Sequence, residues 1–131
     1  MNREEIVLGV RECVARVVDK DMSNVGENDR IIGDLGADSL DLLDLVFQLE
    51  RRFSIKISPN GIEKRVRAEL GQIPLEIDGV YTPQALDLLR HGLPEVPAEE
   101  LAEGLRTSKL PYVFRVTTFA NLVERLMGER T

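Results

Sequence analysis

Asp34-Leu35-Gly36-Ala37-Asp38-Ser39-Leu40-Asp41 runs without a break into Leu42-Leu43-Asp44-Leu45-Val46-Phe47-Gln48-Leu49-Glu50-Arg51-Arg52-Phe53. The second half of this stretch predicts a helix. Leu42, Leu45, Val46, Leu49 and Phe53 recur at the three-four spacing of a core face, with Leu43 and Phe47 broadening it. The first half predicts how that helix begins. Asp38 is a suitable cap, and Asp41 falls in the first turn, where the helix dipole favours a carboxylate. Ser39 then stands at the helix start, delivered by a glycine-containing loop. Its hydroxyl is expected to be exposed, because Leu40, Leu42 and Leu43 claim the adjacent inward positions.

Five acids, Asp34, Asp38, Asp41, Asp44 and Glu50, fall within residues 34–50 with no Lys or Arg among them. A one-signed patch of this kind steers a basic partner. Ser39 admits two readings on these residues alone: a helix cap, or a nucleophile. A nucleophilic serine needs a base and oxyanion donors. The chain offers one histidine, His91, in a different region, and no Gly-x-Ser-x-Gly elbow.

Outward from this centre, residues 3–18 read as an amphipathic helix. Ile6, Val10, Val14 and Val17 form its stripe, and Cys13 lies beside it as a small buried filler. Residues 19–38 read as a long loop rich in Asn, Asp and Gly, anchored inward by Val25, Ile31, Ile32 and Leu35. Beyond the central helix, Ile55, Ile57 and Pro59 form a short extended piece and Asn60-Gly61 a turn. A short helix is expected over 62–70. Ile73, Leu75 and Ile77 alternate as a strand does, up to the Asp78-Gly79 turn. Thr82-Pro83 opens a helix through Arg90, and Pro97 opens another over 98–105. Residues 112–116 read as extended. Thr117-Thr118 caps a last helix whose buried face is Phe119, Leu122, Val123 and Leu126.

A chain of 131 residues is long enough for one compact domain without staples. Its 17 Lys+Arg against 23 Asp+Glu give a net charge of −6, the wrong sign for a protein that grips phosphates of nucleic acid. The single cysteine excludes an internal disulfide framework and a cysteine-based zinc site, and no set of metal ligands is identified. His91, beside Gly92, reads as a helix-end residue facing free carbonyls. No apolar run approaches the length of a bilayer span. Met1-Asn2-Arg3-Glu4-Glu5 carries acids where a signal peptide has a basic region, so a cytoplasmic protein is expected.

The run from Leu35 to Asp41, with the helix that follows, resembles the acyl carrier proteins. In that family the serine of the Asp-Ser-Leu motif bears a 4′-phosphopantetheine arm, derived from coenzyme A and attached through a phosphodiester. The arm's thiol carries acyl groups as thioesters between enzymes. The resemblance implies that Ser39 is the attachment residue. It implies that Asp34, Asp38, Leu40, Asp41, Asp44 and Glu50 meet partners, and that Leu42, Leu45, Val46, Leu49, Phe53, Ile57, Phe119 and Leu122 form the core around a folded-back acyl chain. The implied partners are a phosphopantetheinyl transferase and acyl-transferring and chain-modifying enzymes with basic docking patches. The carrier itself is non-catalytic and is expected to be monomeric, serving fatty-acid, specialised lipid or polyketide synthesis. Two alternatives stay open: a peptidyl or aminoacyl carrier, and an unmodified interaction protein on the same fold.

The expected fold is mostly α, an acyl-carrier-like helical bundle with a long first loop. The resemblance covers residues 3–59 and resumes near Val116. Two departures stand out. Glu50-Arg51-Arg52 ends the central helix where the family typically continues acidic. Residues 60–111 stand where the family has a short third helix, as a mainly helical insert into which a short extended piece fits. Its apolar positions, from Ile62 and Val66 to Leu101 and Leu105, need a surface to bury against, so it is expected to pack on the bundle. The chain is therefore expected to be a single carrier domain, 1–131, with a core at 3–59 and 112–128. The insert is expected to lid or enlarge the acyl-binding space, to dock a dedicated partner, or to be a structural embellishment.

Overall fold

A computed structural model describes residues 1–58 and 60–129; Pro59, expected to close the extended piece after the central helix, lies outside the described residues. The helices are α1 (Arg3–Val18), α2 (Ser39–Phe53), α3 (Gly61–Leu70), α4 (Pro83–Gly92) and α5 (Val116–Glu129), with a hairpin of β1 (Glu76–Ile77) and β2 (Val80–Tyr81) between α3 and α4. The chain divides into two compact units, Met1–Ile57 with Phe114–Thr131, and Ser58–Val113.

In the first unit α1 opens on a reciprocal cap. Asn2 accepts the Glu5 N–H at 2.9 Å, and the Glu5 carboxylate accepts the Asn2 N–H. The helix stops at Asp19, whose φ of 56° ends the helical backbone. Helices α1, α2 and α5 pack pairwise, and Val10, Val14, Leu45, Leu49, Val116 and Val123 meet in the core. Complete burial of each leucine is worth about 1.5–3 kcal/mol relative to exposure. The long loop is fastened at both ends. Arg11 donates from Nε to Val25 O at 2.9 Å and from Nη2 to Met22 O at 2.7 Å. Farther on, Ile31 N–H reaches Phe114 O at 3.0 Å, and Thr117 N–H reaches Glu27 O at 2.9 Å. Val25, Ile31 and Leu35 are buried and Ile32 half-buried, so the four expected anchors do anchor the loop.

Two expectations for this unit are corrected. Leu43 and Phe47 do not broaden the core face of α2, for they are 51% and 52% exposed. At roughly 100° per residue, Leu42, Leu45, Val46, Leu49 and Phe53 already span the arc that a helix can press against its neighbours, and Leu43 and Phe47 lie on the far side. The last helix is not capped at Thr117-Thr118 but begins at Val116. Thr118 reaches back from inside the first turn to accept the Arg115 N–H at 3.0 Å, while the Thr117 hydroxyl donates to Glu27 O.

In the second unit α3 and α4 pack against each other, with Val66, Leu70, Leu86 and Leu89 buried. The hairpin turns at Asp78-Gly79, both at positive φ (54° and 82°), as a two-residue turn matched to the strand twist requires. Tyr81, buried on β2, donates its hydroxyl to the Glu63 carboxylate on α3. Thr82 caps α4 as expected, accepting the Ala85 N–H and donating to Pro74 O at 2.8 Å.

Four expectations for this unit are corrected. Of the alternating trio only Leu75 is buried; Ile73 and Ile77 are 46% and 61% exposed. Ile73 N–H bonds to Leu70 O, so Ile73 belongs to the turn after α3, where a period of two does not apply. Helix α4 runs on to Gly92 rather than ending before it. The segment expected as a helix over 98–105 is a single 3-10 turn, Ala98–Leu101, because the chain then leaves through Gly104 at φ 96° and Leu105 O takes the Tyr81 N–H. Of residues 112–116, Phe114 and Arg115 do leave helical backbone, with Arg115 bridging Arg30, but Val116 opens α5 and Tyr112 and Val113 end a 3-10 segment, Thr107–Val113. It turns Leu110 and Val113, three residues apart, inward together, which a strand cannot do.

Candidate functional site

Ser39 is the first residue of α2 and is exposed. The cap is Asp38, in extended backbone, whose Oδ1 accepts the Asp41 N–H at 2.9 Å. Asp41 returns the contact, its Oδ2 accepting the Asp38 N–H at 3.0 Å. Ser39 sits between the two partners of this reciprocal cap and is not needed to satisfy the helix end, so the cap reading of the serine falls away. Upstream, Leu35 and Ala37 are buried on either side of Gly36, whose φ of 78° turns the chain toward the helix.

The acids of residues 34–50 separate into three groups. Asp38 and Asp44 are exposed, and Asp41 is half-buried beside Ser39. Asp34 is turned onto Arg30, with Oδ1 at 3.2 Å from Nη2 and Oδ2 at 2.8 Å from the Arg30 backbone nitrogen. The Arg30 side chain first, and then its backbone N–H, hold the Asp34 carboxyl below the usual carboxylate range. Glu50, at the far end of α2, accepts the Ile57 N–H at 2.8 Å. Asp38, Leu40 and Asp41 thus flank Ser39, the two carboxylates bonded to each other's backbone; Asp44 is exposed farther along α2, Asp34 is exposed but paired with Arg30, and Glu50 is half-buried on the Ile57 N–H. Arg52 pairs with Glu12 at 2.8 Å, and Arg51 is exposed.

Leu40 does not take an inward position as expected: it is 75% exposed, on the side of α2 turned from the core. With Leu43 and Phe47 it forms an outward apolar strip at i, i+3 and i+7, starting next to Ser39. The sequence contains the signal for it, since eight apolar positions in fifteen residues of helix are more than one buried face can take. Arg30 is a further residue of the site, signalled by its place four residues before Asp34. Of the residues expected around an acyl chain, Leu45, Leu49, Phe53 and Phe119 are buried, Leu42, Ile57 and Leu122 pack half-buried against them, and Val46 is half-buried outside that cluster. Phe119 meets Phe114 edge to face, with ring centroids 5.9 Å apart.

His91 faces a helix carbonyl as expected, its Nδ1 2.8 Å from Asp87 O. Cys13 is buried, and burial pushes its thiol pKa up, the opposite of a reactive cysteine. Among the described residues no three His, Cys, Asp or Glu side chains are placed to hold a metal ion.

Residues 9–71 match the family model described as a phosphopantetheine attachment site. The matched segment runs from α1 to the end of α3, so the first helix of the second unit lies within it and residues 72–113 lie beyond it. The acyl carrier protein of Thermotoga maritima is 43% identical over 63 residues, 48% of this chain and 78% of that protein. That of an Exiguobacterium species is 39% identical over 64 residues, 49% of this chain and 81% of that protein. That of Campylobacter lari is 40% identical over 60 residues, 46% and 78% of the two chains. No solved structure matches.

Proposed function

Since the chain belongs to the acyl carrier protein family, we propose that it carries acyl intermediates in fatty-acid, specialised lipid or polyketide synthesis, with Ser39 bearing the arm. The prosthetic group of this family, a covalently attached 4′-phosphopantetheine, supplies a terminal thiol that holds acyl groups as thioesters. The observation that carries the reading is the division of labour at the start of α2. Asp38 and Asp41 satisfy the helix end, leaving the Ser39 hydroxyl in solvent on a rigid element.

The site suits the group chemically. A phosphodiester on the first residue of a helix sits beside backbone N–H groups that the helix leaves without partners. In attachment Ser39 Oγ attacks the pantetheine-bearing phosphorus of coenzyme A; the Oγ–P bond forms, the pyrophosphate P–O bond breaks, adenosine 3′,5′-bisphosphate leaves, and the serine proton goes to a base of the transferase. Asp38, Asp41 and Asp44 give the surface around it a negative field that orients a basic partner. The outward strip of Leu40, Leu43 and Phe47 supplies the apolar centre that such an interface needs inside its charged rim.

An acyl chain that folds back is received by the face of Leu42, Leu45, Val46, Leu49, Phe53, Ile57, Phe119 and Leu122, at up to about 0.8 kcal/mol per buried methylene. The chain serves enzymes and is not one itself. No helix among the described residues is long and apolar enough to cross a membrane; the reading places the carrier in the cytoplasm as a monomer. The segment 60–111 is read as part of one carrier domain: its α3 falls within the matched family segment, and the remainder serves as a lid, as a dedicated docking surface or as a structural embellishment.

Intact mass tests the attachment. The protein is incubated with a broad-specificity phosphopantetheinyl transferase and coenzyme A beside a Ser39→Ala control. A gain of one phosphopantetheinyl unit, absent in the control, is the expected result. A folded protein that gains nothing is an interaction module instead.

A further inference from the structure

We infer that Arg30 and Asp34 are a positioning pair for arm attachment at Ser39, an inference that rests on the attachment reading above. Asp34 was expected among the partner-facing acids, yet its carboxylate is turned back on its own loop. Oδ2 accepts the Arg30 backbone N–H at 2.8 Å and the Nε–H at 3.4 Å, and Oδ1 accepts from Nη2 at 3.2 Å. Between them the guanidinium lies across Gly33, where a Cβ would stand 3.2 Å from Arg30 Cζ. The residue at that crossing is the one with no side chain to obstruct it.

The turn that this pair closes leads to the serine. Asp34 and Leu35 N–H both reach Arg30 O at 3.1 Å, Gly36 N–H reaches Ile32 O at 3.0 Å, and Ala37 N–H reaches Ile31 O at 3.1 Å. At its outer end Arg30 bridges Arg115 in antiparallel fashion, and at its inner end Asp38 caps α2. Ser39 therefore rides on a turn clamped between a fixed bridge and a helix cap, and the Arg30–Asp34 pair is the side-chain brace of that turn. Small misplacements of a reacting group are costly in rate, so the brace acts on the step at Ser39 Oγ without touching it. Arg30 also compensates the charge of Asp34, which leaves the steering field to Asp38, Asp41 and Asp44.

The two roles of Asp34 make opposite predictions. A docking acid acts through charge: Asp34→Glu retains function, and Arg30→Ala, which uncovers the acid, leaves the KM for the carrier unchanged or lower. A positioning pair acts through geometry, and both changes slow the reaction. The experiment measures kcat and KM for phosphopantetheinyl transfer from coenzyme A to the full chain at low and high salt, for wild type, Arg30→Ala, Asp34→Asn, Asp34→Glu and the double variant. Circular dichroism and melting check each fold.

The expected result is a kcat lowered about tenfold in every variant, with KM within about twofold of wild type and the double variant no worse than the singles. Wild-type kcat in Arg30→Ala and Asp34→Glu, with a salt-sensitive rise in KM confined to Asp34→Asn, overturns the pairing. If those variants fail to fold, Arg30→Lys decides: it keeps the charge beside Asp34 but removes the two-nitrogen contact of the guanidinium, and an unchanged kcat overturns the inference. A wild-type chain that accepts no arm at all defeats the attachment reading itself, a result recognisable before any variant is compared.

Discussion

The ring of Phe53 lies against Gly9 so closely that a Cβ on Gly9 would stand 2.6 Å from Phe53 Cζ. This contact brings α1 and α2 together at a point where both residues are buried. The Arg52–Glu12 pair bridges the same two helices. Alanine is the better helix former, so propensity alone favours Gly9→Ala by up to about 1 kcal/mol. The clash is with a packed ring inside the core, and overpacking there costs about 1–3 kcal/mol. Gly9→Ala is therefore expected to be net destabilising in urea denaturation. A stabilised variant contradicts this account of the α1–α2 contact.

Glu50 and Asp44 separate when tested side by side. Glu50→Ala removes the acceptor of the Ile57 N–H and is expected to cost about 1–2 kcal/mol of stability. Its effect on partner KM is expected to be small. Glu50→Gln keeps an acceptor and lies in between. Asp44→Asn, on an exposed acid, leaves stability within about 0.5 kcal/mol and raises KM for a basic partner at low salt, an effect that fades as salt rises.

The two faces of α2 are expected to respond in opposite ways. Leu49→Ala opens the core and costs about 2–5 kcal/mol. Phe47→Ser, on the outward strip, changes stability by no more than about 0.5 kcal/mol but raises KM for a chain-modifying enzyme several-fold. Melting curves and partner kinetics on the same two variants check both halves. A large loss of stability in Phe47→Ser contradicts the outward assignment.

The second unit carries its own pH signature. Burial first, and then the bond to Glu63, hold the Tyr81 phenol pKa above its ordinary value. A group whose pKa is raised by folding gives stability that is fully present below its unfolded pKa, about 10 for tyrosine. That stability is lost as pH rises toward the folded value. Wild type is thus expected to weaken between about pH 8 and about pH 11 by more than Tyr81→Phe does. At neutral pH the variant is less stable, because a hydrogen bond to a carboxylate is worth about 1.5–3 kcal/mol. Parallel pH profiles of both proteins in urea at the two ends supply the measurement.

If the core face of α2 receives the acyl chain, loading the carrier with longer chains raises its melting temperature in steps, since each buried methylene adds up to about 0.8 kcal/mol. Melting the holo form against short-, medium- and long-chain acyl forms is the test. Equal melting temperatures across the series place the chain in solvent or in the partner enzyme.

Much of this molecule is legible in short stretches of sequence. The cap at Asp38, the exposed Ser39, the helix over Arg3–Val18 and the Thr82 cap all follow from interactions within a few residues, which the chain carries wherever it folds. The misreadings share one physical cause. Leu40, Leu43 and Phe47 have the same chemistry as Leu45 and Leu49, and spacing alone does not say which side of a helix a neighbour will cover. Residues 98–105 and 112–113 depart from the expected backbone because partners distant in sequence hold the segments they belong to, as Leu105 O accepts the Tyr81 N–H and Gly79 O accepts the Thr107 N–H.

By itself, then, the sequence determined where α2 starts, that its serine faces outward, and that acids crowd around it, because capping, dipole and turn chemistry are local. Only the tertiary structure decided which side of α2 is covered. Helices α1 and α5 close over Leu45 and Leu49 and leave Leu40, Leu43 and Phe47 outward beside the serine. A leucine has the same chemistry on either side of a helix, and only the fold brings it a neighbour to bury against.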